Sequence, residues 1–422
     1  MASGAFWSFT GTALAKFIVL VAGIACAHVL GKEEYGQFGM VRSTINMFVV
    51  FGFAGMGLTA TKFISEYKKE HKERIPSIYI LTNGFAVLMG FIITTVVLLF
   101  SSYIAKNTLH SPELTLPLRM GALLLFVTVL NGAQQGTLAG FENFKAIAIN
   151  TLIGSIAESI LMLIGAYYWG VTGAVLGFGC GFVVLYITNK LAINRNLKDY
   201  SINVSLRSLR TKDLKLLYTY SLPAFLFSLV GTPVYWIIRT LLVNYRGFGE
   251  LANFEAAEQW RVLVIYIPTI LYQVLLPIFS SMNGTSSKKS FSKLLHFSLL
   301  VNTVSTLLLS LIITLFSNSI MNLYGKEFND NMSLICLVFS TISNSALLIL
   351  FNYLSSKNKM WTIFFVNLFC ALLSIVSTLV LLENGMGASA VGLSFNLSYT
   401  IGFILLYIYL RKNEYFSTES YI

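Results

Sequence analysis

The chain has 422 residues, of which 56% are hydrophobic and only 11% charged, with a mean hydropathy of +0.73. A water-soluble domain carries roughly 45–50% apolar and about 25% charged residues, so that class is excluded. The 29 Lys and Arg against 18 Asp and Glu leave a net charge of +11, but the basic residues sit between long apolar runs, so the expected partner is the bilayer and not nucleic acid.

A helix crosses the hydrocarbon core in about 20 residues. Runs of that length cover 5–30, 38–64, 78–104, 118–140, 146–168 and 171–193. Residues 1–31 have no basic leader and carry Lys16 mid-run, so they are expected to be a first span and not a cleavable signal peptide. A basic, polar segment at 194–213 follows, then runs at 214–243, 253–280, 291–316, 332–355, 361–382 and 389–410, and a tail at 411–422. No alternating barrel pattern is present, and backbone amides in lipid must be satisfied internally. The expected fold is therefore an all-α polytopic membrane protein of about twelve transmembrane helices. Two six-helix bundles, 1–193 and 214–410, are expected around a central cavity, joined by the 194–213 linker. The four cysteines, Cys26, Cys180, Cys336 and Cys370, stand alone in apolar runs and support neither a disulfide framework nor a zinc site.

The loops after every second span, with the tail, hold 19 basic residues, and the opposite loops hold five: Lys32, Lys106, Arg119, Arg246 and Lys326. This asymmetry predicts that both termini are cytoplasmic. The halves also resemble each other. WGVTGAVLG (169–177) answers to NGMGASAVG (384–392), and LAGFENFKAIAIN (138–150) to LSSKNKMWTIFFVN (354–367). Paired repeats of this kind are a common transporter plan.

Seven charged residues inside the spans stand clear of the ends: Lys16, Arg42, Glu158, Arg239, Glu255, Glu258 and Arg261. Each costs ~2.5–3.5 kcal/mol at a span centre and should face a wet cavity or a partner. Ser221, Ser228, Thr232, Tyr235 and Arg239 share one face of their helix. Asn150, Gly154 and Glu158 share another, and Asn46 lies one turn beyond Arg42. Guanidinium and ammonium groups match phosphate oxygens, so Lys16, Arg42, Arg239 and Arg261 are candidate ligands of a diphosphate. Asn46, Asn131, Gln134, Ser228, Thr232 and Tyr235 suit sugar hydroxyls, and Glu158, Glu255 and Glu258 are candidates for proton or sodium coupling. Plainer readings stand beside these. Glu258 and Arg261, three residues apart, form a structural ion pair; Arg42 and Arg239 snorkel to headgroups. Glu158 is a hydrogen-bonded core carboxyl, and the amides of Asn131, Gln134 and Gln135 are interhelical glue. His28 is expected at an interface. Pro223, Pro233, Pro268 and Pro277 should bend spans seven and eight. Gly52, Gly55 and Gly57 either loosen span two or let helices pack closely.

HVLGKEEYGQFGMVRSTINMFVVFGFAGMGLTATKFISEY (28–67) resembles the first two helices of polysaccharide flippases, with their L-G-x-x-x-Y-G-x-F loop and Gly-rich second helix. MNLYGKEF (321–328) and the repeat ending at 384–392 resemble further elements of the same family. The layout of the whole chain is similar to that of Wzx-type O-antigen or polysaccharide-unit flippases, within the multidrug/oligosaccharidyl-lipid/polysaccharide exporter superfamily. The resemblance implies a bacterial inner-membrane transporter, not an enzyme, with a V-shaped cationic lumen between two bundles. The implied substrate is an undecaprenyl-diphosphate-linked O-antigen or capsule repeat unit, turned from the cytoplasmic to the periplasmic leaflet by alternating access. Lys16, Arg42 and Arg261 lie on spans matching those that line the cavity in such flippases. No cofactor is implied beyond proton or sodium coupling, and other polysaccharide-assembly membrane proteins are implied as partners.

Competing classes make different demands. A multidrug exporter of the same superfamily binds cations and favours acidic residues in the first bundle, where Lys16 and Arg42 stand here. A major-facilitator transporter carries a G-x-x-x-D-R-x-G-R-R-like loop where this chain has EYKKEHKERIP. A membrane polymerase or glycosyltransferase needs a sizeable external loop, and the external loops here are short. A non-transporting scaffold leaves the buried charges without a purpose.

Overall fold

Apolar backbone removed from water satisfies its amides only by closing i to i−4 bonds, and the described residues do so almost throughout. The computed structural model describes residues 2–53, 55–205, 208–216, 221, 231–282, 288–357 and 359–412. In chain order the helices are α1 (Ala2–Leu30), α2 (Lys32–Phe53), α3 (Met56–Glu70), α4 (Ile75–Tyr103), α5 (Thr115–Gly140) and α6 (Phe144–Asp199). They continue as α7 (Gly231–Arg246), α8 (Phe248–Met282), α9 (Lys288–Leu315), the short α10 (Ser317–Asn322), α11 (Asn331–Ser356), α12 (Met360–Glu383) and α13 (Ser389–Lys412). No strand occurs among the described residues.

Eight described helices are long and apolar enough to cross a membrane, and α2 with α3, bent by 44°, makes a ninth as a broken span. The 56-residue α6 is two spans, because Trp169 (φ −135°) and Gly170 (φ +55°) leave the helical region at its middle. Helix α8, of 35 residues, carries Glu250, Glu255, Glu258 and Arg261 in its first half. Every expected apolar run thus lies on a helix, that of 214–243 in its described part. Large apolar side chains stand bare along the outer helices, among them Phe91 and Leu99 on α4 and Phe297 and Leu315 on α9. Apolar surface on that scale belongs against lipid.

The chain divides into two compact units, Met1–Thr240 and Leu241–Ile422. The basic segment 194–213 lies within the first, and α7 runs across the division in sequence. In the first unit α6 packs on α1 and α5, and α5 packs on α3 and α4. In the second unit α11 is central and packs on α8, α9 and α13.

Glycine governs both breaks in the first unit. At Gly55, φ is +72°, and a Cβ there would stand 2.4 Å from the Ser221 carbonyl oxygen. The same stretch also packs closely: a Cβ on Gly136 of α5 would meet the Gly57 carbonyl oxygen at 2.2 Å. Both readings of these glycines therefore hold. Pro233, Pro268 and Pro277 lie inside helices that continue through them, and Pro223 falls outside the described residues.

The 194–213 segment is tied to its own unit by a buried acid. Asp213, with 3% of its side chain exposed, accepts from Arg74 Nη2 at 2.9 Å and from Ser77 Oγ at 2.6 Å. The Arg210 amide donates in turn to Ser77 Oγ at 2.9 Å, and the Arg74 guanidinium lies 4.2 Å from the Tyr67 ring centre. The core cluster beneath joins Tyr67, Ile75, Ile78, Phe141, Leu197 and Ile202. Because Arg74 is about one-third exposed, solvent weakens the pair, and Asp213→Ala should cost about 1–3 kcal/mol. The expected result is faster tryptic cleavage at Arg207, Arg210 or Lys212 in membranes, read by the fragment pattern over time.

Candidate functional site

Each unit carries its own set of intramembrane charges, and each set sits where the local sequence leaves room for it. In the first unit, Lys16 is half-buried on α1, Arg42 is half-buried on α2, and Asn46 is exposed one turn further along α2. The Arg42 guanidinium lies 5.6 Å from the Phe38 ring centre on its own helix. Its charge also reaches Glu158 of α6 and Cys26 of α1. The structure therefore brings Arg42 and Glu158 into one electrostatic neighbourhood from helices more than a hundred residues apart in sequence.

Glu158 owes its position to a glycine. The two arms of α6 run side by side after the break at Trp169–Gly170, and a Cβ on Gly181 of the second arm would stand 2.4 Å from the Glu158 Cβ. The shared face of Asn150, Gly154 and Glu158 thus lies along this seam. Asn150 Nδ2 donates to Asn189 Oδ1 at 2.9 Å, and a Cβ on Gly154 would meet the Leu185 Cβ at 3.2 Å.

Helix α7 supplies Thr232, Tyr235 and Arg239, all half-buried. Arg239 turns back on its own helix, with Nη1 donating to the Tyr235 carbonyl at 3.4 Å and the guanidinium 5.8 Å from the Tyr235 ring centre. Trp236 Nε1 donates to Thr44 Oγ1 of α2 at 2.9 Å, which fixes α7 beside the helix that bears Arg42. Ser221 is buried and shares a 2.7 Å hydrogen bond with Thr59. Ser228 lies outside the described residues. Asn131 and Gln134 on α5 are 4% and 2% exposed, and Asn131 Nδ2 donates to the Phe182 carbonyl of α6 at 2.9 Å. That bond joins two helices, and it places Asn131 inside a packing interface.

In the second unit the charges fall on one stretch of α8. Glu255 is 1% exposed and Arg261 6%. Arg261 holds Glu258 through two bonds, Nε to Oε2 at 2.5 Å and Nη2 to Oε1 at 2.6 Å. The Phe395 ring of α13 lies 5.8 Å from the guanidinium. A fork-to-fork pair one helical turn apart is the strong form of a charge-assisted bond. It also occupies both carboxylate oxygens of Glu258.

One recurring feature escaped the reading from sequence. Gly31 (φ +76°) precedes α2 and Gly247 (φ +83°) precedes α8, and a glutamate follows each by three residues, Glu34 and Glu250. Glu250 Oε2 accepts from the Ala388 amide at 2.7 Å, just before α13. Glu34 Oε2 lies 3.2 Å from where a Cβ on Gly170 would stand, beside the start of the second arm of α6. In the second unit a carboxylate from the start of α8 thus meets the amide that leads into α13, where the helix dipole favours negative charge, and in the first unit Glu34 lies near the corresponding break in α6. Arg246 adds a cap of the opposite sense, donating from Nη2 to the Leu382 carbonyl at 2.6 Å at the end of α12. The signal was present as glycine followed three residues later by glutamate, in the same place in both halves.

No group of three or more His, Cys, Asp or Glu that would hold a metal ion occurs among the described residues. Each unit thus holds cationic and carboxylate groups with aromatic rings nearby, chemistry that suits a charged, hydrated ligand.

Comparison with known proteins agrees with that chemistry. The profile of a family described as "polysaccharide biosynthesis protein" matches residues 1–283, more than half of the chain. The "EPS I polysaccharide export inner membrane protein EpsE" of Ralstonia solanacearum is 24% identical over 400 residues, which cover 90% of this chain and 87% of that protein. The protein of the same description from Ralstonia nicotianae is 23% identical over 281 residues, 64% of this chain and 61% of its own length. Among solved structures, a multidrug resistance MATE family transporter of the MOP superfamily, in its inward-facing conformation, superposes with a TM-score of 0.85 over 94% of each chain at 16% identity. At that identity the likeness is one of fold.

Proposed function

The chain belongs to the polysaccharide biosynthesis protein family, and we propose that it is a flippase for an undecaprenyl-diphosphate-linked oligosaccharide, an O-antigen or capsule repeat unit. It works in the bacterial inner membrane with both termini in the cytoplasm, and carries the unit from the cytoplasmic to the periplasmic leaflet by alternating access. The observation that carries this reading is the set of buried and half-buried cations on helices, Lys16, Arg42, Arg239 and Arg261, in a chain of a polysaccharide family. A diphosphate is the part of such a substrate most costly to bring across lipid, and guanidinium groups are its natural counter-charges. Asn46, Thr232 and Tyr235 lie on the same helices as Arg42 and Arg239 and offer hydroxyl and amide groups to the glycan. Asn131, Gln134 and Ser228 complete the proposed polar set. The 1–193 and 214–410 bundles are the proposed moving parts, with 194–213 between them.

Deletion in the producing organism should leave lipid-linked repeat units accumulating on the cytoplasmic face, identified by mass spectrometry and by their protection from an enzyme added outside. Units reaching the outer leaflet at the wild-type rate would defeat the proposal. A double variant, Lys16→Ala with Arg42→Ala, should reproduce the deletion while the protein remains in the membrane, measured by surface glycan and by immunoblot of membranes.

Coupling is assigned first to Glu158, because Glu258 is engaged by Arg261 on its own helix. Glu255 is the second candidate. In proteoliposomes, wild-type flux should respond to an imposed proton or sodium gradient, and Glu158→Gln should flip lipid at a rate that no longer follows the gradient. Gradient-dependent flux in that variant would remove Glu158 from the mechanism.

A further inference from the structure

Away from the charges just described, the two arms of α6 leave an open cavity of about 450 Å³ between the start of the first arm and the end of the second. Its polar lining comprises Asn143, Lys145, Arg195, Asn196 and Asp199, together with Asn150 and Thr188 deeper along the arms. Lys145, Arg195 and Asp199 are exposed at the rim, at the end of the helices where the basic loops cluster. Between the arms Asn143 Nδ2 donates to Asn196 Oδ1 at 3.0 Å, which ties the two ends together. Further along, Ile149, Ile153 and Leu191 line the cavity and are 39%, 41% and 54% exposed.

From the ends of the arms inward, the cations Lys145 and Arg195 come first and the branched hydrocarbon of Ile149, Ile153 and Leu191 follows, with amides at both levels. A phospholipid presents the complementary order: phosphate, glycerol ester, acyl chain. The level also agrees, since Lys145 and Arg195 lie at the ends of spans, where headgroups sit. Asp199 at the same rim would repel a bare phosphate but meets the ammonium of an ethanolamine headgroup.

We propose that this cavity is a phospholipid site. Lys145 and Arg195 hold the headgroup phosphate, and Ile149, Ile153 and Leu191 flank an acyl chain. The site is separate from Arg42, Glu158 and the α7 residues, and it concerns a lipid of the surrounding leaflet and not the transported unit. It therefore stands whether or not the transported substrate is as proposed above.

The test is native mass spectrometry of the purified full-length protein, titrated with dioleoyl phosphatidylethanolamine, dioleoyl phosphatidylglycerol and dioleoylglycerol. The first phospholipid should bind about tenfold more tightly than dioleoylglycerol, and Lys145→Gln with Arg195→Gln should lose most of that preference. Asp199→Asn should weaken phosphatidylethanolamine while sparing phosphatidylglycerol. All three residues are exposed, so these variants should elute and melt as wild type does. Leu191→Ser, also at an exposed position, offers a charge-neutral check and should weaken every chain-bearing ligand. Phospholipid affinity in the double variant within about twofold of wild type would overturn the proposal. Displacement by free glycerol phosphate at matching concentration would overturn it equally, because the site would then belong to a soluble phosphate.

Discussion

Arg261→Ala is expected to reduce surface polysaccharide to the level of a deletion strain and, at the same time, to lower the amount of folded protein in the membrane. The second effect follows from the pair alone. Arg261 is 6% exposed and holds both carboxylate oxygens of Glu258, whose side chain is 12% exposed. Removing one member of a buried pair leaves the other uncompensated, which costs about 3–5 kcal/mol. A loss of export in the single variant would therefore be ambiguous. The informative comparison is Glu258→Gln combined with Arg261→Gln, which removes both charges and keeps two groups able to hydrogen-bond each other. Replacing both members of a buried pair is often close to neutral for stability. The double variant should thus regain membrane abundance and melting temperature. If Arg261 also meets the diphosphate of the substrate, export should stay absent. Export recovered along with abundance would assign Arg261 to structure alone. Immunoblot of washed membranes, thermal unfolding in detergent and surface glycan analysis on the same strains read the three quantities.

The sequence was most legible where a single physical rule dominated. The need to satisfy backbone amides in lipid made each apolar run helical, and among the described residues every run lies on helix, that of 38–64 on two. The resemblance to polysaccharide flippases, carried by residues 28–67, agrees with the family profile that matches residues 1–283. Features set by pairs of distant helices were harder to read. Asn150, Gly154 and Glu158 could be placed on one face from their spacing, but only the fold shows that the face lies against Gly181 and Asn189. The Asp213 contact with Arg74 and Ser77 joins the 194–213 segment to the start of α4, two stretches whose composition gives no sign that they meet. The carboxylates Glu34 and Glu250 were legible in principle, since each follows a left-handed glycine by three residues. A carboxylate at a span end can be solvated at little cost, so its position in the sequence does not mark it as having a distant partner. Glycine was the most under-read residue. Gly173, Gly177 and Gly181 recur every four residues, the spacing that lets two membrane helices touch backbone to backbone.

That stripe carries the other large effect: Gly173→Val is expected to leave little folded protein. A Cβ on Gly173 would stand 1.9 Å from the Gly165 carbonyl oxygen and 2.5 Å from its carbonyl carbon. The reverse substitution fares no better, since a Cβ on Gly165 would meet the Gly173 carbonyl oxygen at 2.1 Å. Both obstacles are backbone, so no side chain can swing away, and the two arms of α6 would have to separate. Separation is resisted at the same time from below and above. A Cβ on Gly177 already stands for a 2.1 Å approach to the Leu161 carbonyl oxygen, and Gly170 (φ +55°) joins the arms only three residues away. Overpacking in a tight interior costs about 1–3 kcal/mol and more when the obstacle cannot relax. The arms also place Glu158 against Gly181, so any protein that survives should be impaired in the coupling proposed for Glu158. Gly84→Ala is the matched control: nothing lies within 4 Å of its Cβ, and alanine gains about 0.8–1.0 kcal/mol over glycine in a helix interior. Fluorescence-detected size exclusion of tagged protein should show Gly84→Ala at or above wild type, Gly173→Ala reduced and Gly173→Val nearly absent. A monodisperse Gly173→Val with the wild-type melting temperature would mean that the arms do not touch at Gly165 and Gly173. The placement of Glu158 would then have to be revised with them.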